Sequence, residues 1–86
     1  MDRETERVIK AIASQLRAEI AAAGTTVAAI SRDIEVPYQT LFRYIHGKRD
    51  IPSSVVVMIG KVLGVTPATI YARAYERLED RQHSDE

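Results

Sequence analysis

Glycine and proline punctuate this chain at intervals that leave room for short helices and little else. Gly24 follows a long helical pattern, Pro37 sits mid-chain, Gly47 and Pro52 bracket GKRDIP, and Gly64 and Pro67 bracket GVTP. Glycine readily takes the left-handed conformation that ends a helix, and proline lacks the N–H that a helix interior needs. These breakers divide the chain into five segments, each with helical periodicity. None alternates with period two over a strand's length. VVVM at residues 55–58 is strand-like locally, but Ile59, Val62 and Leu63 continue it at helical spacing. The expected fold class is all-α, with five helices and no internal repeat.

The first helix is expected over residues 4–23, where Val8, Ile9, Ile12, Leu16 and Ile20 form one apolar stripe. Thr25 or Thr26 can cap a second helix carrying Ile30 and Ile34. Pro37 suits the first turn of a third helix and pushes Val36 out of the helical region. That helix ends near His46, with Gly47 as its cap. Ser53 or Ser54 starts a fourth, which ends at Leu63-Gly64. Thr66-Pro67 opens a fifth, a Thr cap followed by proline at the first helical position. One domain is expected over residues 1–80, because 86 residues cannot build two cores. Residues 81–86 lack apolar anchors and are expected to form a frayed polar tail.

Composition removes several function classes. The chain has no cysteine, which excludes disulfides and thiolate metal sites, and no apolar run approaches a membrane span. The opening MDRETERVIK alternates acid and base, unlike a secretory signal. The expected compartment is the cytoplasm. There is no glycine-rich phosphate loop and no ligand cluster, and nothing arranges Ser, His and acid as a triad, so no enzyme is expected. The net charge of +0 leaves nucleic acid open as a partner, because local clustering matters more than the sum.

The second and third helices are short and joined by a very short turn, the layout of a helix-turn-helix. So tight a turn needs a small residue where helix two faces helix three, and Ser31 can fill that role. Ile30, Ile34, Val36, Leu41, Tyr44 and Ile45 would lock the unit to the core. The stretch at residues 26–65, TVAAISRDIEVPYQTLFRYIHGKRDIPSSVVVMIGKVLGV, resembles the lambda-repressor-like family, which includes phage repressors and Cro proteins. The resemblance is carried by Ile30-Ser31, Val36 in the turn, Leu41 and Tyr44 pointing inward, Gly47, and LGV after the fourth helix. Leu16 and Ile20 fit as well, and GKRDIP is particularly like phage repressor sequences. One departure is Glu35, where the family often has glycine; a positive φ on such a residue costs about 1 kcal/mol.

The resemblance implies a compact five-helix DNA-binding domain with its helix-turn-helix at helices two and three. It implies a sequence-specific transcriptional regulator, of the phage or prophage Cro type or a short immunity repressor, that blocks transcription by occupying an operator. The partner would be double-stranded operator DNA in a bacterial host cytoplasm. No cofactor, metal or small-molecule substrate is expected.

Helical geometry divides the third helix into two sides. With steps of about 100° per residue, Leu41, Tyr44 and Ile45 share the buried side, and Gln39, Arg43 and His46 the opposite one. Phe42 lies on one flank beside Tyr38, and Thr40 lies on the other. Gln can pair bidentately with adenine and Arg with guanine, and Phe42 can touch a thymine methyl. Tyr38, Gln39, Thr40, Phe42 and Arg43 are therefore the expected base-contacting set, and they match positions where family members read bases. Residues 36–49 contain Arg43, Lys48 and Arg49 and no acid. Lys48 and Arg49 follow the recognition helix, where family members grip phosphate, and the start of helix two at Thr25 and Thr26 can offer N–H groups to another phosphate. With His46 these are the expected backbone contacts; Arg32 is weakened by Asp33 beside it.

Plainer readings exist for the same residues. Gln39 and Arg43 suit an ordinary solvated face, Tyr38 and Phe42 can pack on each other or on helix two, and Lys48 and Arg49 suit a charged loop. His46 fits an ordinary helix end. A protein-interaction module of antitoxin or adaptor type is the alternative function, since the fold can be kept after DNA contact is lost. On helix five, Ile70, Ala74 and Leu78 form one stripe and Tyr71 and Tyr75 a second. Two stripes point to a homodimer through helix five or four, unless the long first helix covers the second stripe within one chain.

Overall fold

The computed structural model describes residues 2–84, with side chains through Asp80. The described residues form five helices and no strand: α1 (Arg3–Ala22), α2 (Val27–Ile34), α3 (Tyr38–Ile45), α4 (Ser53–Leu63) and α5 (Pro67–Ser84). α5 stays helical through Ser84, beyond the expected start of the tail at residue 81; residues 85–86 lie outside the described residues. No single helix among the described residues is long and apolar enough to cross a membrane.

Each helix begins with a backbone or side-chain acceptor suited to its sequence. The Asp2 carboxylate accepts the Thr5 N–H at 2.7 Å, and this bond draws its pKa below the usual carboxylate range. Glu4 and Glu6 add negative charge to the same first turn, where the helix dipole favours it. Thr26 Oγ1 accepts the Ala29 N–H at 3.1 Å to open α2, and Thr66 Oγ1 accepts the Thr69 N–H at 3.2 Å to open α5. Pro37 stands one position earlier than expected, as the flanking residue rather than in the first turn. Its carbonyl accepts the Leu41 N–H at 2.9 Å, so it supplies the first acceptor of α3 from an extended backbone.

α1, α2, α3 and α4 end in the same way. The residue after the turn donates its N–H back across a left-handed residue, as in Thr25 to Ile20, Val36 to Ser31, Lys48 to Arg43 and Val65 to Gly60. The left-handed residue is Gly24, Gly47 or Gly64 in α1, α3 and α4, and Glu35, at φ 58°, in α2. Gly60 serves a different purpose. A β-carbon there would lie 2.4 Å from the Val65 carbonyl oxygen, so only glycine lets the chain turn back so closely onto α4.

The core gathers Leu16, Ile20, Ile30, Leu41, Ile45, Val55, Val56, Ile59 and Ile70, with Ile12, Ile34, Val36, Tyr44 and Tyr71 packed around it. It contains the residues expected to lock α2 and α3 in place. α1 departs from its expected stripe, because Val8 and Ile9 are only half-buried while Gln15 and Glu19 are buried. The reason is α5, which lies along α1. Arg73 donates to both Glu19 oxygens at 3.0 and 2.8 Å, and Arg77 Nε donates to Gln15 Oε1 at 2.6 Å. Gln15 Nε2 donates to Glu19 in turn. The Arg73 bonds hold the Glu19 carboxyl below the usual carboxylate range, against the opposing effect of burial.

α1 thus covers much of α5 within one chain. Ile70 and Ala74 are buried, Leu78 is half-buried, and Tyr71 packs against the core, while Tyr75 remains 53% exposed.

Candidate nucleic-acid interface

α3 is placed by its buried side. Leu41 and Ile45 are fully buried, Tyr44 packs against the core, and Ser31 of α2 is buried where the two helices approach. The Ser31 hydroxyl donates to the Ala28 carbonyl at 2.7 Å, so the small side chain satisfies its polar atom within its own helix. A long-range bond fixes the far end of α3. Arg17 of α1 donates through Nη1 to the Ile45 carbonyl at 2.6 Å, binding one of the terminal carbonyls that lack an intrahelical partner. The residues are 28 apart in sequence, and no local pattern announces the pair.

The outer side of α3 carries the residues the periodicity assigned to it. Tyr38, Gln39, Phe42, Arg43 and His46 are exposed, and Thr40 is half-buried on the flank. No hydrogen bond or ion pair holds the Gln39 or Arg43 side chain. They lie one helical turn apart and project together from the surface. Beside them runs an aromatic column. The Phe42 and His46 ring centroids are 4.1 Å apart, and those of Tyr38 and Phe42 are 6.0 Å apart. Phe42 therefore packs on its neighbours along the helix and still keeps 38% of its surface exposed. The packing is along α3 itself, with Tyr38 and His46 on either side of Phe42.

Lys48 and Arg49 are exposed in the turn after α3, next to Gly47, and neither is in an ion pair. Arg32 and Asp33 are exposed and make no ion pair with each other. At the start of α2 the two threonines differ. Thr26 is exposed and its hydroxyl oxygen caps the helix. Thr25 is half-buried, and its N–H already donates to the Ile20 carbonyl at 3.3 Å. The N–H groups this terminus can present are therefore those of Val27 and Ala28, which precede the first intrahelical bonds. Thr25 and Thr26 stand together at the start of α2, and His46, Lys48 and Arg49 follow the C-terminal end of α3.

No protein-family model matches the sequence, and no curated protein does. Among solved structures, the crystal structure of the clp gene regulator ClgR from Corynebacterium glutamicum is similar, with a TM-score of 0.85 at 18% identity. The match covers 91% of this chain and 83% of that one, so nearly the whole five-helix arrangement is shared with a gene regulator.

Proposed function

We propose that this protein is a sequence-specific DNA-binding transcriptional regulator, most similar in kind to a phage Cro protein or a short repressor. The observation that carries this reading is the outer side of α3, where Gln39 and Arg43 are exposed and bonded to nothing. A glutamine and an arginine so presented match the edges of adenine and guanine in the major groove. Tyr38, Thr40 and Phe42 border them and would make the remaining base contacts. Lys48, Arg49 and His46 would hold phosphates at the C-terminal end of α3, and Thr26 with the first N–H groups of α2 would hold another at the start of α2. Thr25 would support that end through its position rather than its N–H. The fold shared with ClgR, a gene regulator, supports the same direction.

Regulation would follow from occupancy of an operator. A homodimer through α4 or α5, where Val57, Val62 and Tyr75 remain exposed, would read two half-sites about 10 bp apart or a multiple of that. The exposed Tyr38 and Phe42 also favour a second reading, a protein-interaction module with little DNA affinity. Selection of bound sequences from a random duplex pool separates the two. Enrichment of one motif, relaxed at one position by Arg43→Ala, supports the regulator. Absence of any enrichment favours the interaction module.

A further inference from the structure

Lys10 of α1 stands where two grooves meet beside the C-terminal end of α3. A β-carbon on Gly47 would come within 3.3 Å of Lys10 Cγ, so the lysine stem lies directly against the turn after α3. On one side is a groove of 290 Å³ whose lining includes Lys10, Lys48 and Arg49, with Glu6 and Asp50. On the other is a groove of 420 Å³ whose lining includes Lys10, Ser14, Arg17, His46 and Arg77, with Asp80. Lys10, Ser14 and Arg17 share one face of α1 by helical spacing. Arg77 is largely committed, donating to Gln15 and Ser14. Arg17 is held at the end of α3 by its bond to the Ile45 carbonyl, and its other N–H donors have no protein partner. The Lys10 ammonium is in no ion pair.

We propose that Lys10 and Arg17 extend the DNA-binding surface from α3 onto α1, by gripping a backbone phosphate of the strand that passes the C-terminal end of α3. The proposal rests on the DNA-binding reading and adds a second helix to it. Phosphates recur about every 3.4 Å of helix axis along one strand. A strand held by Lys48 and Arg49 therefore presents further phosphates to cations on either side of that turn. Lys10 adjoins the turn, and Arg17 lies beyond His46 with its guanidinium already oriented. An orienting bond lowers the entropy lost when the remaining donors meet a phosphate.

The test is binding of the full chain to a fluorescently labelled random duplex across a salt series. Lys10→Gln should weaken binding severalfold and reduce the slope of log K against log salt by about one in magnitude, with the thermal midpoint unchanged. Lys61→Gln, exposed on α4, should keep the wild-type slope. A selected duplex with one neutral methylphosphonate gives a second reading. At the gripped position, neutralisation should weaken the wild type and have little further effect on Lys10→Gln or Arg17→Gln. If Lys10→Gln keeps the wild-type slope while Lys48→Gln lowers it, the DNA reading stands and the α1 clamp is wrong. If the wild type binds no duplex, both are wrong. Thermal stabilisation by pyrophosphate that Lys10→Gln abolishes, without any change in duplex slope, would assign the groove to a free anion and overturn the proposal.

Discussion

A glutamine and an arginine meet in two regions of this molecule, with opposite consequences. Along the α1–α5 seam, Arg77 Nε donates to Gln15 Oε1 at 2.6 Å, and the same cluster joins Arg73 to Glu19. On the outer side of α3, Gln39 and Arg43 sit one turn apart and bond to nothing. The seam uses polar groups to fix two long helices against each other, and every buried polar side-chain atom among the described residues has a partner. The α3 face leaves the same chemistry available to an outside molecule. A polar pair on a helix therefore says little about recognition until its partners are known, and here the partners distinguish the two regions.

The largest effect should come from the two sides of α3 itself. Ile45→Ala opens a cavity at a fully buried position and should cost about 2–5 kcal/mol of stability. Gln39→Ala on the exposed side should change stability by no more than about 0.5 kcal/mol. Urea denaturation measures both. A destabilised Gln39→Ala would mean that this face packs against something, and the contrast between the regions would fail.

Next come paired substitutions across the regions. Glu19→Ala should lose about 1–3 kcal/mol of stability and leave duplex affinity unchanged where the protein is folded. Arg43→Ala should do the reverse: about 1–3 kcal/mol lost on the preferred duplex, preference relaxed at one position, and no change in thermal midpoint. Arg49→Ala should weaken all duplexes alike and reduce the salt slope by about one. Isotherms on selected and random duplexes separate the two arginines. Equal losses on both for Arg43→Ala would make it a phosphate contact.

The seam should also show in acid. Arg73 holds the Glu19 carboxyl below its ordinary range, so the unfolded chain takes up a proton there more readily than the folded one. The stability this contributes is present above the ordinary carboxylate range and lost as pH falls through the lowered value. Melting temperature should therefore fall more steeply below about pH 5 in the wild type than in Glu19→Gln. Parallel curves would mean that the seam is not a source of acid sensitivity.

These regions were not equally legible in the sequence. The helix-turn-helix rests on local signals: glycines at helix ends, Ser31 at the close approach, and apolar residues on one side of an eight-residue helix. The outer face of α3 followed from its buried one. The seam depends on partners 54 and 62 residues apart, which no local pattern in α1 announces. The Arg17 bond to Ile45 was hidden for the same reason. Thr25 illustrates a finer limit. Its residue type suits an N-terminal contact, but the reversal at the end of α1 had already engaged its N–H. Lone exposed cations such as Lys10 carry no pattern until the fold sets them beside Lys48 and Arg49.

The smallest expected effect concerns Glu35, where the α2 end departs from its glycine counterparts. Its backbone sits at φ 58° and ψ 39°, a conformation that costs an ordinary residue about 1 kcal/mol. Glu35→Gly removes that strain but loosens the unfolded chain, an opposing change of about 0.4–1 kcal/mol. The net gain in stability should lie between zero and about 0.5 kcal/mol, read as a shift in urea midpoint with an unchanged m value. Glu35→Asn should do at least as well, because asparagine tolerates the left-handed region without glycine's full freedom. Both variants also delete a carboxylate just ahead of α3, which should raise affinity for any duplex. Glu35→Gln separates the effects, since it keeps the backbone cost and removes the charge. If it raises affinity without a change in midpoint, the charge acts on DNA and the φ angle acts on folding. If all variants bind alike, Glu35 lies outside the field of the bound duplex and only its φ angle matters.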